Sequence, residues 1–152
     1  MSPRKVVLGL GHPFRGDDGI GGLIARELAS KVDSGVLVRA MHGGAAELLE
    51  AWQGSELAVV VDAVNSGAKP GSLWRWDLQE GSLPAVFQGG SSHALGLAEA
   101  VALGQVLDQL PGRLIVHGIE ADQFQEGAPI SPSLLAVVDE VVERVLADLE
   151  TA

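Results

Sequence analysis

No cysteine occurs among the 152 residues. That absence excludes a disulfide framework, a thiolate zinc site, an iron–sulfur cluster and a cysteine nucleophile, so any metal must be held by His, Asp or Glu. Basic charge is scarce: 10 Lys and Arg stand against 20 Asp and Glu, a formal net charge of −10. A field of that sign repels polyphosphates and anionic lipid, which argues against nucleic-acid and membrane partners. Long apolar runs are missing too. MSPRKVVLGLGHPF sets basic residues before a short apolar stretch broken by glycine, which is neither a signal peptide nor an anchor, so the cytoplasm is the expected compartment. Internal repeats, low-complexity tracts and dividing linkers are also absent.

What remains is 47% hydrophobic and 20% charged, the composition of a globular chain. Its length suits one domain over residues 1–152, expected to be a monomer. Short β-rich runs alternate with helical spacing, which predicts an α/β fold with a largely parallel sheet. Val6 to Leu8 form a first strand, followed by a glycine-rich loop and a helix from about Gly19 to Lys31 with Ile20, Leu23, Ile24 and Leu28 on one face. Val36 to Val38 give a second strand, Ala45 to Trp52 a second helix, and Leu57 to Val61 a third strand, apolar throughout and suited to the sheet centre.

The connection AVNSGAKPGS to the next strand, LWRW, is too short for a helical crossover, so that strand is expected to be antiparallel. Trp74 and Trp76 share one of its faces and are expected to pack under a helix. QGGSSH then opens a helix from about Ala94 to Leu110, followed by the strand RLIVHG and a loop from Ile119 to Pro129. A last helix follows, with Ser131 as its expected cap, Pro132 in its first turn, and Val137, Val138, Val141, Val142 and Val145 as its buried face.

In open α/β sheets ligands bind beyond the carboxyl ends of the strands. Asp17 and Asp18 follow the first strand, Asp62 the third, His93 the fourth through a loop, and His117 and Glu120 the fifth. A dinucleotide fingerprint fails because Phe14 stands where its third glycine belongs, and a phosphate loop fails because Asp17 and Asp18 occupy the Lys and Ser/Thr positions. Asp17 and Asp18 also have a bland reading, as solvated caps at a helix start. Asp62 can likewise serve as a turn cap and His93 as a helix cap. Together, one His and two carboxylates from separate strand ends form a candidate site for a borderline divalent metal such as nickel or zinc.

Other hydrolase arrangements fare worse, since neither a GxSxG elbow nor an HExxH helix is present. Ser91 and Ser92 remain conceivable nucleophiles, and Asp18 with Asp62 a conceivable aspartic-type pair. His12 and His42 are placed in loops at the cleft rim, and His117 is expected to be buried.

Four segments, in order, are VVLGLGHPFRGDDGIG, VVVDAV, GGSSHALGL and HGIEADQFQEGAPISPSL. On these the chain resembles the hydrogenase maturation endopeptidases, which trim the C-terminal extension from the large-subunit precursor of nickel-iron hydrogenases. The resemblance implies a three-layer α/β/α sandwich with a five-stranded mixed, mostly parallel sheet whose fourth strand is antiparallel. It also implies that Asp18, Asp62 and His93 form the catalytic and metal-recognition set. Nickel would arrive in the substrate as a quality-control signal and would not be a resident cofactor, and no organic cofactor is implied. Three positions depart from the family pattern: His12 stands where Asn is usual, Gly43 and Gly44 replace a Gly-Thr type turn, and Ala121 stands where Pro often follows Glu120. A non-catalytic nickel-binding or chaperone-like module for the precursor is the alternative that the sequence leaves open.

Overall fold

The computed structural model describes residues 5–88 and 92–151, and for residues 92–95 the backbone alone. Five strands, β1 (Lys5–Leu10), β2 (Val36–Met41), β3 (Leu57–Val64), β4 (Leu73–Asp77) and β5 (Arg113–Glu120), form one sheet in the order β2-β1-β3-β5-β4. All neighbours are parallel except β4 and β5, which pair antiparallel from Leu73 opposite Ile119 to Asp77 opposite Ile115. The short link after β3 therefore leads to an antiparallel strand, as its length predicts.

Helices cover both faces, giving the three-layer α/β/α sandwich. On one side, α1 (Ile20–Ala29) and α5 (Val138–Thr151) bury Ile24, Leu28, Val141 and Val145 against Val7, Val59 and Ile115. On the other, α2 (Ala45–Trp52) and α3 (Ser92–Leu107) pack Leu48, Trp52 and Leu97 against Leu8, Val60 and Val116. Trp76 is buried in that second cluster and Trp74 packs at its edge, as their shared strand face implies. Because β3 is covered on both sides, all eight of its residues are buried.

Several boundaries differ from the sequence reading. β3 continues past Val61 because β5 continues beside it, pairing Asp62 with Gly118, Ala63 with Ile119 and Val64 with Glu120. Asp62 is thus inside the strand, and Ile119 and Glu120 belong to β5 and not to the following loop. The first helix is preceded by a 3-10 turn, Gly16–Gly19, that contains both acids. The last helix is divided into α4 (Pro132–Leu135) and α5, with Val137 partly buried at the break. Ser131 precedes α4 with Pro132 in its first turn, but its side chain does not cap it. The hydroxyl donates instead to Asp17 Oδ2 at 2.9 Å.

Candidate functional site

The chain leaves β1 toward β2 on one side of the sheet, and leaves β3 toward β4 on the other side, past β5. The crevice where two such paths diverge, at the carboxyl ends of β1 and β3, is the expected ligand position in an open α/β sheet. Bare glycines draw α1 down onto this point. A Cβ on Gly9 would lie 2.1 Å from the Gly21 carbonyl oxygen, and one on Gly21 would lie 2.4 Å from the Leu10 oxygen and 2.7 Å from the Val61 oxygen. No larger residue fits either position without moving the helix. The 3-10 turn bearing Asp18 is thereby held against β3.

Asp17 and Asp18 are both fully buried but have different work. Asp17 accepts four hydrogen bonds: from Ser131 N at 2.6 Å to Oδ1, and to Oδ2 from Asp122 N at 2.7 Å, Gln123 N at 3.1 Å and Ser131 Oγ at 2.9 Å. It is a pin that fastens the segment after β5, not a solvated cap. Asp18 Oδ2 accepts from the backbone N of His12 at 2.9 Å. Gly11, at φ +128°, lets that loop close over the turn, since a Cβ there would lie 2.0 Å from the Asp18 carbonyl oxygen.

Asp62 is 1% exposed. Strand alternation sets it on the same face as Ala58, Val60 and Val64, which is the face covered by α2 and α3. His93 stands in the first turn of α3, and its side chain lies outside the described residues, as do Ser91 and the side chain of Ser92. One turn further on, Gly96 seats the helix on the loop after β2, where a Cβ would lie 2.1 Å from the Gly43 oxygen. Three connections thus meet at one sheet edge: the loop after β1, the loop after β2 and the start of α3. Among the described residues, no three His, Asp or Glu side chains form a group able to hold a metal ion.

His12 and His42 are exposed on the rim, as expected, and their rings touch edge to face with centroids 4.4 Å apart. Beside them is an open groove lined by His12, Phe14, Arg15, Phe124, Glu126 and Gly127. Phe14 is 80% exposed, and its carbonyl accepts from Gly127 N at 2.7 Å, tying the two groove loops together. In the sequence Phe14 counted only as a missing glycine. An aromatic residue in a turn that needs none was the available signal.

The other strand-end polar residues are structural. Glu120 accepts from Ser66 N at 2.8 Å and from Trp74 Nε1 at 3.3 Å, holding the link between β3 and β4. His117 is 3% exposed and donates from Nε2 to Asp148 Oδ2 at 2.6 Å, while Arg75 Nη2 reaches Asp148 Oδ1 at 2.9 Å. Burial alone would raise the Asp148 carboxyl, but hydrogen bonds and charge from His117 and Arg75 more than offset it and hold it below its ordinary value.

The family model described as hydrogenase maturation protease (HycI) matches residues 22–148. The chain belongs to the hydrogenase maturation protease family. As such it is a peptidase, a hydrolase. It is 28% identical over 150 residues to the hydrogenase 2 maturation protease of Escherichia coli, covering 96% of this chain and 90% of that one. The solved hydrogenase maturating endopeptidase HybD of E. coli superposes with a TM-score of 0.84 at 27% identity, covering 97% of this chain and 93% of that one. The [NiFe] hydrogenase maturation protease HybD of Thermococcus kodakarensis gives 0.71 at 27% identity, covering 95% and 97%.

Proposed function

We propose that this maturation protease removes the C-terminal extension of a nickel-iron hydrogenase large-subunit precursor after nickel insertion, and that Asp18, Asp62 and His93 read the nickel. The supporting observation is the crevice between β1 and β3. The turn that carries Asp18 packs against β3, the strand that carries Asp62, and the first turns of α3 approach the loop after β2, which is tied to the loop after β1. Two carboxylates and an imidazole are borderline oxygen and nitrogen donors of the kind a divalent nickel ion accepts. The metal is the substrate's cargo, and its docking on these side chains aligns the scissile peptide beside them.

Hydrolysis then adds water across the C–N bond: the hydroxyl goes to the carbonyl carbon and a proton to the leaving amine. A carboxylate able to take the water's proton supplies general-base chemistry of the aspartic type, and the docked metal polarises the carbonyl. No side-chain nucleophile is required. The chain's net charge of −10 favours a substrate segment of basic character.

The test is precursor processing by Asp62→Asn and His93→Ala variants, followed on gels alongside far-ultraviolet circular dichroism. Cleavage should fall by a factor of about a hundred or more with the folded spectrum intact. Wild-type processing by either variant would remove that residue from the proposed set.

A further inference from the structure

We propose that the groove lined by Phe14 and Phe124 is a specificity subsite that seats one large apolar side chain of the polypeptide being cut. The inference rests on the function proposed above for its occupant, a segment of the precursor near the cleavage point. The groove has a volume of about 690 Å³. Of the three phenylalanines in the chain, Phe87 is buried in the core and the other two line this groove. Phe124 is partly buried against the core on the α1 and α5 side, whereas Phe14 is 80% exposed. One bare apolar residue on a surface needs no explanation, but two aromatic residues lining one concave site supply the apolar lining that a ligand buries.

The walls are fixed before a ligand arrives. Arg15 N donates to the His12 carbonyl at 3.3 Å, closing the turn that presents Phe14, and Gly127 N donates to the Phe14 carbonyl at 2.7 Å. The loop that carries Phe124 is held at both ends by the Asp17 carboxylate, through Asp122 and Gln123 before it and Ser131 after it. Gln123 Nε2 closes the same loop on the Pro129 carbonyl at 3.0 Å. Binding therefore orders little new backbone, which leaves more of the apolar burial for affinity. The groove also adjoins Asp18, because His12 lines it and His12 N donates to Asp18 Oδ2 at 2.9 Å. A segment bound there is anchored next to that carboxylate. Arg15 and Glu126 put one charge of each sign on the lining, so the groove does not select for net charge and the two rings set the preference.

The experiment is steady-state processing of a nickel-loaded hydrogenase large-subunit precursor by the full chain and its Phe14→Ala, Phe14→Leu and Phe124→Ala variants. Val106→Ala is the control, an equally bare apolar residue on α3 at 83% exposure. Phe14→Ala and Phe124→Ala should each raise KM about tenfold or more, the loss expected when a buried aromatic contact is removed. With kcat, and KM in Phe14→Leu, both should stay within about threefold of wild type, because uniform binding is lost and not chemistry. Val106→Ala should match wild type. The inference is overturned if Phe14→Ala keeps the wild-type KM, if its loss falls on kcat alone, or if Val106→Ala loses as much. Should Phe124→Ala misfold by circular dichroism, Phe14→Ala decides, since its exposed ring supports no core. If wild type leaves the precursor uncut, the proposed function fails, and equilibrium binding of the intact precursor to the same variants decides the subsite. Binding about tenfold weaker in Phe14→Ala upholds it, and equal binding, or none by wild type, overturns it.

Discussion

Replacing Asp17 by Ala separates two adjacent acids that look alike in sequence. The substitution strips the carboxylate from three backbone N–H groups and one hydroxyl, all on residues 122, 123 and 131. A buried donor left without its acceptor costs about 1–3 kcal/mol. Four of them would set an upper bound near 12 kcal/mol, but the segment after β5 lies at the surface, where freed N–H groups can turn to water. A loss of about 4 kcal/mol is therefore expected, comparable to breaking a buried ion pair. For a chain of this size that lowers the midpoint of thermal unfolding by about 8–16 °C. Asp17→Asn should cost about half as much, since the amide keeps one acceptor, and Ser131→Ala about 1 kcal/mol for the hydroxyl alone. The double variant Asp17→Ala with Ser131→Ala should cost less than the sum, because the two share a bond. Calorimetry and urea unfolding read all four. A loss below 1 kcal/mol in Asp17→Ala, or strict additivity with Ser131→Ala, would refute the pin.

Two further outcomes follow from the packing. Gly21→Ala should destabilise by about 3 kcal/mol, since its Cβ would meet only backbone, whereas Gly22→Ala should be neutral or stabilise by up to about 1 kcal/mol, its nearest neighbour being Ala40 Cβ at 3.8 Å. The reverse order in urea unfolding would contradict the close approach of α1 to the sheet. Asp148→Asn should cost about 3 kcal/mol at neutral pH by breaking the bonds to His117 and Arg75. Because the folded carboxyl titrates below its ordinary value of 3.8, the wild-type advantage should be constant above about pH 5 and shrink as the pH falls through that value. An advantage that grew on acidification would contradict it.

The strand order was half legible in the residues. The all-apolar LAVVV run announced a central strand, and the short link after it announced an antiparallel neighbour, because both are local consequences of burial and chain length. Where β3 ends was not legible: an aspartate reads as a strand terminator, and only the continued pairing with β5 carries the strand through it to Val64. Ser131 read as a helix cap because Ser before Pro is good capping chemistry. A partner over a hundred residues away takes its hydroxyl instead, and no local pattern encodes that. The same long-range contact splits Asp17 from Asp18, which are indistinguishable by residue type. His12 and His42 were each placed on the rim, but their contact depends on the parallel pairing of β1 with β2.

The most direct test of the account is intact-mass spectrometry of a hydrogenase large-subunit precursor incubated with the protease. It compares nickel-loaded with nickel-free substrate and wild type with Asp62→Ala. The account predicts loss of one defined C-terminal peptide in the nickel-loaded, wild-type sample alone. Equal cleavage of the nickel-free precursor, or undiminished cleavage by Asp62→Ala, would contradict a cut guided by the metal.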